Sequence, residues 1–320
     1  MNRREALKFG VGAALGCAMD GLAMNRDSMP IIDSHIHLFD TSRPGGVPWP
    51  EKTDVAIYKP ALPDRYARIA EPLGVVGAIA IEASPLKSDN DWVLRQAADH
   101  PILVGFIGDL IPGTPSFPRD LDRLRQNPIF LGIRYGNLWN RDLLTDLKKP
   151  GFLEDVRRLA AEGLTMDSAN PDPALIRAIL EVSQSVPELR IVIDHLPNAT
   201  LPNDAGVLKE YRANLQKLAQ NSAIYMKLSE IPERHGSRVP ADVGFYQHKL
   251  DVLWDIFGED HILYGSDWPN SDHLLSYAAT LRIARGYAEE KGKAATEKVF
   301  WKNSIAAYRW RPRRADQRNL

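Results

Sequence analysis

Eight short apolar runs, each followed by a segment with helical spacing, leave this chain few folds to choose from. The runs lie at 30–37 (PIIDSHIH), 75–82 (VVGAIAIE), 102–108 (ILVGFIG), 129–135 (IFLGIRY), 163–168 (GLTMDS), 189–195 (LRIVIDH), 222–229 (SAIYMKLS) and 261–267 (HILYGSD). Between them come amphipathic patterns such as DNDWVLRQAADH, FLEDVRRLAAEG, PALIRAILEVSQS and VLKEYRANLQKLAQ, most of them broken by Pro or Gly. Strands that alternate with helices pair in parallel. Eight such units over about 280 residues predict a single-domain α/β fold, the (β/α)8 barrel. A doubly wound open sheet is the alternative, but no Gly-rich phosphate turn follows the first run. No internal repeat or low-complexity linker divides the 320 residues, which suffice for one large domain with an ample core. A net charge of −1 argues against a nucleic-acid partner and leaves a small molecule as the expected one.

The two ends read differently from the middle. Residues 1–23, MNRREALKFGVGAALGCAMDGLA, have a basic start, a weakly apolar Gly/Ala-rich centre and small residues at the end. This is the pattern of a signal peptide, and Arg3-Arg4 with Lys8 fits twin-arginine export to the periplasm or beyond. The apolar centre is too short to span a bilayer, so no integral membrane segment is expected in the mature chain. Cleavage near Ala23 would remove Cys17, the lone cysteine, and with it any disulfide or thiolate chemistry. The domain proper is expected over 24–308. The tail 309–320, RWRPRRADQRNL, carries five Arg and one Asp and reads as a solvated, frayed end.

Two of the eight histidines sit one residue apart, His35 and His37, at the end of the first run. Side chains alternate along a strand, so Asp33, His35 and His37 are expected on one face, with Ile32 and Ile36 on the other. In a barrel the first face looks into the lumen, at the C-terminal rim where active sites are built. His195 and Asp267 are polar stops on the sixth and eighth runs and fall on the same rim. The long connection 38–61, rich in Pro and Gly and carrying Trp49, follows the first strand, where substrates are gripped.

The stretches DSHIHLFD, IEASPLKSDNDWVLRQAADHPILVGFIGDL, LGIRYG, VIDHLPN, YMKLSEI and FGEDHILYGSDWPNSD resemble the amidohydrolase superfamily over residues 30 to 308. Within it they are similar to the branch that contains 2-pyrone-4,6-dicarboxylate lactonase and L-fuconolactonase. The resemblance implies that His35 and His37 sit at the reacting carbonyl, that Asp267 activates the attacking water and that His195 completes the site. It also implies that Arg134 lies near the substrate, on a carboxylate or hydroxyl. The middle strands, TMDSANP and YMKLSEI, lack the usual extra metal ligand, so a two-metal site is not expected. One divalent ion remains, zinc by expectation, held by His35, His37, Asp267 and His195; metal-free activity stays open.

A lactone is an activated ester, and its hydrolysis needs a positioned water, a base and a group to hold the oxyanion. Asp267 would serve as base and the histidines, alone or through a metal, would polarise the carbonyl. Trp268, Trp49 or Trp139 could stack on a ring. Lys227 and Glu230 could contact the leaving oxygen or pair with each other. Arg141, Arg234, His235 and Arg238, in the loops 137–150 and 231–245, are further candidate contacts. A metal-dependent decarboxylase and a non-catalytic binding protein are the alternatives to a lactonase.

Overall fold

The computed structural model describes residues 29–318 and 320. The expected leader, with Arg3, Arg4 and Cys17, lies outside the described residues. Eight parallel strands form one sheet in sequential order. They are β1 (Ile31–His37), β2 (Val75–Ile81), β3 (Leu103–Gly108), β4 (Phe130–Arg134), β5 (Thr165–Ser168), β6 (Arg190–Ile193), β7 (Ile224–Leu228) and β8 (Ile262–Tyr264). Between and after them run α1 (Pro63–Ala70), α2 (Lys87–Asp99), α3 (Phe117–Leu124), a short α4 (Leu143–Asp146), α5 (Phe152–Ala161), α6 (Pro173–Ser185), α7 (Ala205–Ala219), α8 (Val243–Phe257) and α9 (Tyr277–Glu290). Local chemistry starts several of them. Asp172, Asp204 and Ser276 accept from the backbone N–H three residues on, and Pro opens α1 and α6. The predicted barrel is therefore present, with each strand one to three residues shorter than its run at one or both ends. Among the described residues no helix is long and apolar enough to cross a membrane.

The core has two layers. One cluster, with Ile32, Ile79, Ile107, Leu131, Val192 and Leu263, draws on strands all round the sheet and fills the lumen. The larger layer lies between the sheet and the helices. This assignment corrects the expected facing of β1. Ile32 points into the lumen and Asp33 points outward, where Tyr66 and Tyr277 donate to its carboxylate at 2.9 and 3.0 Å. The reason is an irregularity in the pairing with β2 between Asp33 and Ile36, which shifts the alternation by one residue. His35 and His37 still face inward.

The C-terminal segment also departs from expectation. Tyr308 and Trp310 close the lumen from below, where Thr165 Oγ1 and Arg190 Nε donate to the Ala307 carbonyl at 2.9 and 2.6 Å. The tail then straps the barrel floor instead of fraying. Arg313 Nη1 donates to the carbonyls of Ala97, His100 and Leu103, and Gln317 Nε2 to those of Val76 and Pro101. A guanidinium fork satisfies several orphan carbonyls at once, which is why an Arg-rich end is retained here.

The seam between β8 and β1 has no regular ladder. It is closed by Asp267 N donating to the His35 carbonyl at 2.9 Å and His37 N donating to the Trp268 carbonyl at 2.7 Å. The close approach requires Gly265, where a Cβ would lie 2.6 Å from that of His35.

Candidate active site

At the C-terminal rim three imidazoles converge on one carboxylate oxygen. Asp267 Oδ1 lies 3.4 Å from His35 Nε2, 3.2 Å from His37 Nε2 and 3.9 Å from His195 Nε2. Asp267 and His195 reach the centre because the chain turns sharply just past β8 and β6. Both adopt left-handed backbone conformations, φ 58° and 59°, as does Glu230 after β7 at 49°. Such conformations cost about 1–3 kcal/mol in a non-glycine residue and collect where function holds them. Asn270 Nδ2 donates to Asp267 Oδ2 at 2.7 Å, so Oδ2 is fixed while Oδ1 receives no hydrogen bond.

That orphan oxygen and its surroundings fit a cation. His35, His195 and Asp267 offer ligand atoms within 4.8 Å of one another, and His37 Nε2 borders the same point. His37 Nδ1–H donates to the Ile81 carbonyl at 3.2 Å, which leaves its Nε2 bare. His195 Nδ1 pairs with the Ser229 hydroxyl at 2.8 Å. His35 Nδ1 lies 3.1 Å from Lys227 Nζ and 3.5 Å from Asp194 Oδ1. When Lys227 donates, His35 carries its proton on Nε2; when Nδ1–H turns to Asp194, Nε2 is free for a metal. Three imidazole nitrogens and one carboxylate suit zinc among the common ions. Burial, then the Lys227 ammonium, holds His35 well below the ordinary histidine range, and burial with Arg134 pulls His37 down to about 3. Both rings are neutral, as ligation requires. Burial, reinforced by Glu230 against the pull of His195, pushes Asp267 well above the usual carboxylate range.

Beneath the histidines lies a dry ionic layer. Lys227 is wholly buried, 2.6 Å from Asp167 Oδ2 and 3.0 Å from Asp194 Oδ1, and Tyr308 donates to Asp167 at 2.8 Å. Arg134 Nε lies 3.2 Å from Asp194 Oδ2. Burial opposes ionisation of Asp194, but Lys227, His35 and Arg134 hold its carboxyl well below the ordinary range. Lys227 therefore supports His35 from below, and these two aspartates take the place of the alternative pairing with Glu230. Glu230 instead accepts from Asn198 and Asn270 at 2.6 and 3.0 Å. Trp268 is fully buried against Tyr66 and under Arg65, so it has no face for a substrate ring. Trp49 does reach the site, with its ring 5.4 Å from His37, and Trp139 donates to Glu82. Arg141 is tied to Asp109. Arg234, His235 and Arg238 are exposed on the loop after β7, where Arg234 Nη2 donates to the His273 carbonyl at 3.4 Å.

Sequence reasoning passed over Glu82, Asp109 and Asp194. Each is the first acidic residue past an apolar strand, so the rule that nominated Asp267 would have found them.

Comparison with known proteins agrees with this fold. Residues 32–310 match the sequence profile of the amidohydrolase family. An L-fucono-1,5-lactonase of Burkholderia ambifaria is 26% identical over 288 residues, covering 87% of this chain and 95% of its own. A zinc-bound amidohydrolase of Burkholderia multivorans superposes with a TM-score of 0.75 at 20% identity, covering 88% of this chain and all of that one. The "probable 2-pyrone-4,6-dicarboxylic acid hydrolase" of Acinetobacter baumannii, with citric acid bound, gives 0.69 at 17% identity over 88% of this chain and all of its own.

Proposed function

Since the chain belongs to the amidohydrolase family, we propose that it is a lactonase, opening a cyclic ester by attack of water on the ring carbonyl. The observation that carries the reading is the unpartnered Asp267 Oδ1 among three imidazole nitrogens. The similar L-fucono-1,5-lactonase supports the substrate type. A zinc ion held by His35, His37, His195 and Asp267 would acidify water and polarise a carbonyl when bound.

The chain's own groups account for the rest. Asn270 fixes Oδ2 of Asp267, so Oδ1 is the oxygen aimed at the water and takes its proton. The new C–O bond forms as the ring C–O bond breaks, and the same carboxyl returns the proton to the leaving alkoxide. His195, steadied through Nδ1 by Ser229, keeps its Nε2 turned toward Asp267 Oδ1, 3.9 Å away. Arg134, behind this pair, offsets charge that develops on the carbonyl oxygen.

A pH-indicator assay on a lactone panel, with and without chelator, tests the reading. Acid release from at least one lactone is expected, with kcat for Asp267→Asn lower by about 10²–10⁴-fold while the fold is kept. Release of carbon dioxide from an acid panel instead would favour a decarboxylase. If Asp267→Asn keeps more than about a tenth of wild-type kcat, the base lies elsewhere. We further propose export through the twin-arginine route, on the strength of Arg3-Arg4 and the Gly/Ala-rich run that follows. Changing both arginines to Lys should trap the precursor in the cytoplasm, and unaltered periplasmic yield would rule the route out.

A further inference from the structure

Every buried cation close to the catalytic centre already has a carboxylate. Arg134 faces Asp194, Arg141 pairs with Asp109, and Lys227 lies between Asp167 and Asp194. All three side chains are more than nine-tenths buried, so none can swing out to a new partner. Glu82, Glu230 and Asp267 accept only from neutral donors. Trp139 Nε1 donates to both oxygens of Glu82 at 3.1 and 2.9 Å, and the Ser84 amide adds a bond of 3.2 Å. Asn198 and Asn270 hold Glu230, and Asn270 also holds Asp267. Six carboxyl groups thus meet three buried cations, and Glu82, Glu230 and Asp267 have no buried cation of their own.

The two glutamates flank the centre from different sides. Glu82 follows β2 and, with Phe39 and Trp49, lines the cleft next to His37. Glu230 follows β7, beside His195 and Asp267. Each carboxylate is fixed by N–H donors yet keeps lone pairs unused, because a carboxylate accepts about four hydrogen bonds. Asp267 Oδ1 is buried and without any donor.

Resting on the lactonase reading, we infer that the site takes a neutral, polyhydroxylated lactone, and that Glu82 and Glu230 select it by accepting hydrogen bonds from its hydroxyls. A lactone bearing carboxylates would bring like charge against buried acidic groups whose only buried cations, Arg134, Arg141 and Lys227, are already paired. A ring hydroxyl supplies the donor these carboxylates lack, and an analogue without it leaves buried acceptors unsatisfied. Trp49 and Phe39 offer the apolar wall for the ring's C–H face.

The test uses the full-length, metal-loaded protein and two lactams, which mimic the ring but resist hydrolysis. One is a neutral aldono-1,5-lactam and the other carries a ring carboxylate. Calorimetric titration should show the neutral lactam binding at least about tenfold more tightly. Glu82→Gln and Glu230→Gln should each narrow that gap, weakening the neutral ligand and strengthening the charged one, with circular dichroism confirming the fold. Equal or tighter binding of the charged lactam, or no binding of either, overturns the inference. If either variant fails to fold, the wild-type comparison decides alone. Preferential binding of the neutral lactam by a protein that turns over no lactone would sink the hydrolase reading and leave this selectivity standing.

Discussion

His37 shows what burial does to a side chain whose job is to stay unprotonated. Its pKa in the folded chain, about 3, lies below the unfolded value of 6.5. Its contribution to stability is therefore present above pH 6.5 and is lost as pH falls toward 3. In metal-free protein, His37→Gln should remove that dependence. Between those limits the stability of wild type should fall faster than that of the variant, by roughly 1 kcal/mol per pH unit. Parallel curves from denaturant melts across the window would show that the ring is not neutral in the folded state. The opposing groups Glu82 and Asp167, both pushed up to about 7 chiefly by burial, are common to the two proteins and cancel in the comparison. At this scale His35, His37, His195 and Asp267 were legible because a titratable residue closing an apolar strand has no packing purpose. Lys227 was legible as a residue of interest but not in its role. Its partners Asp167 and Asp194, and Tyr308 that donates to Asp167, are far apart in the chain, and only barrel closure brings them together.

Among the elements, β1 and β8 carry the most. The strands as a set were readable because a parallel sheet is buried on both faces and its strands are apolar throughout. Which way Asp33 points was not, because the pairing irregularity that turns it outward depends on β2 and leaves no mark in β1 itself. The seam offers a test of packing against function. Gly265 leaves room for His35, and the added methyl of Gly265→Ala would arrive 2.6 Å from the His35 Cβ. Since neither backbone can yield without moving a proposed ligand, the variant should lose about 1–3 kcal/mol of stability. Its kcat should fall more than tenfold, on the scale expected when reacting groups shift by an ångström. Wild-type kcat together with an unchanged melting temperature would mean that the seam opens more easily than this packing implies.

Over the whole molecule, the C-terminal strap and the rim are separate structures that share the barrel. The basic composition of the tail suggested solvent, because charge counts cannot anticipate that Arg313 meets three carbonyls on the barrel floor. Gln317 is fully buried and is the cleaner probe. Gln317→Ala leaves the Pro101 carbonyl without this donor, the Val76 carbonyl with Arg314 alone and the Arg313 and Arg314 amides without their acceptor, so unfolding free energy should drop by about 1–3 kcal/mol. Steady-state kcat and KM at 25 °C should stay at wild-type values; a change in either would tie the floor to the rim. The seam bears on how the protein is made. It joins His35 to Asp267, and a ribosome adding roughly 5–20 residues per second takes roughly 10–45 seconds to travel between them. Throughout that interval the nascent histidine pair lacks the Asp267 carboxylate, so an interrupted translation product has no working centre, and metal capture falls to the last moments of synthesis.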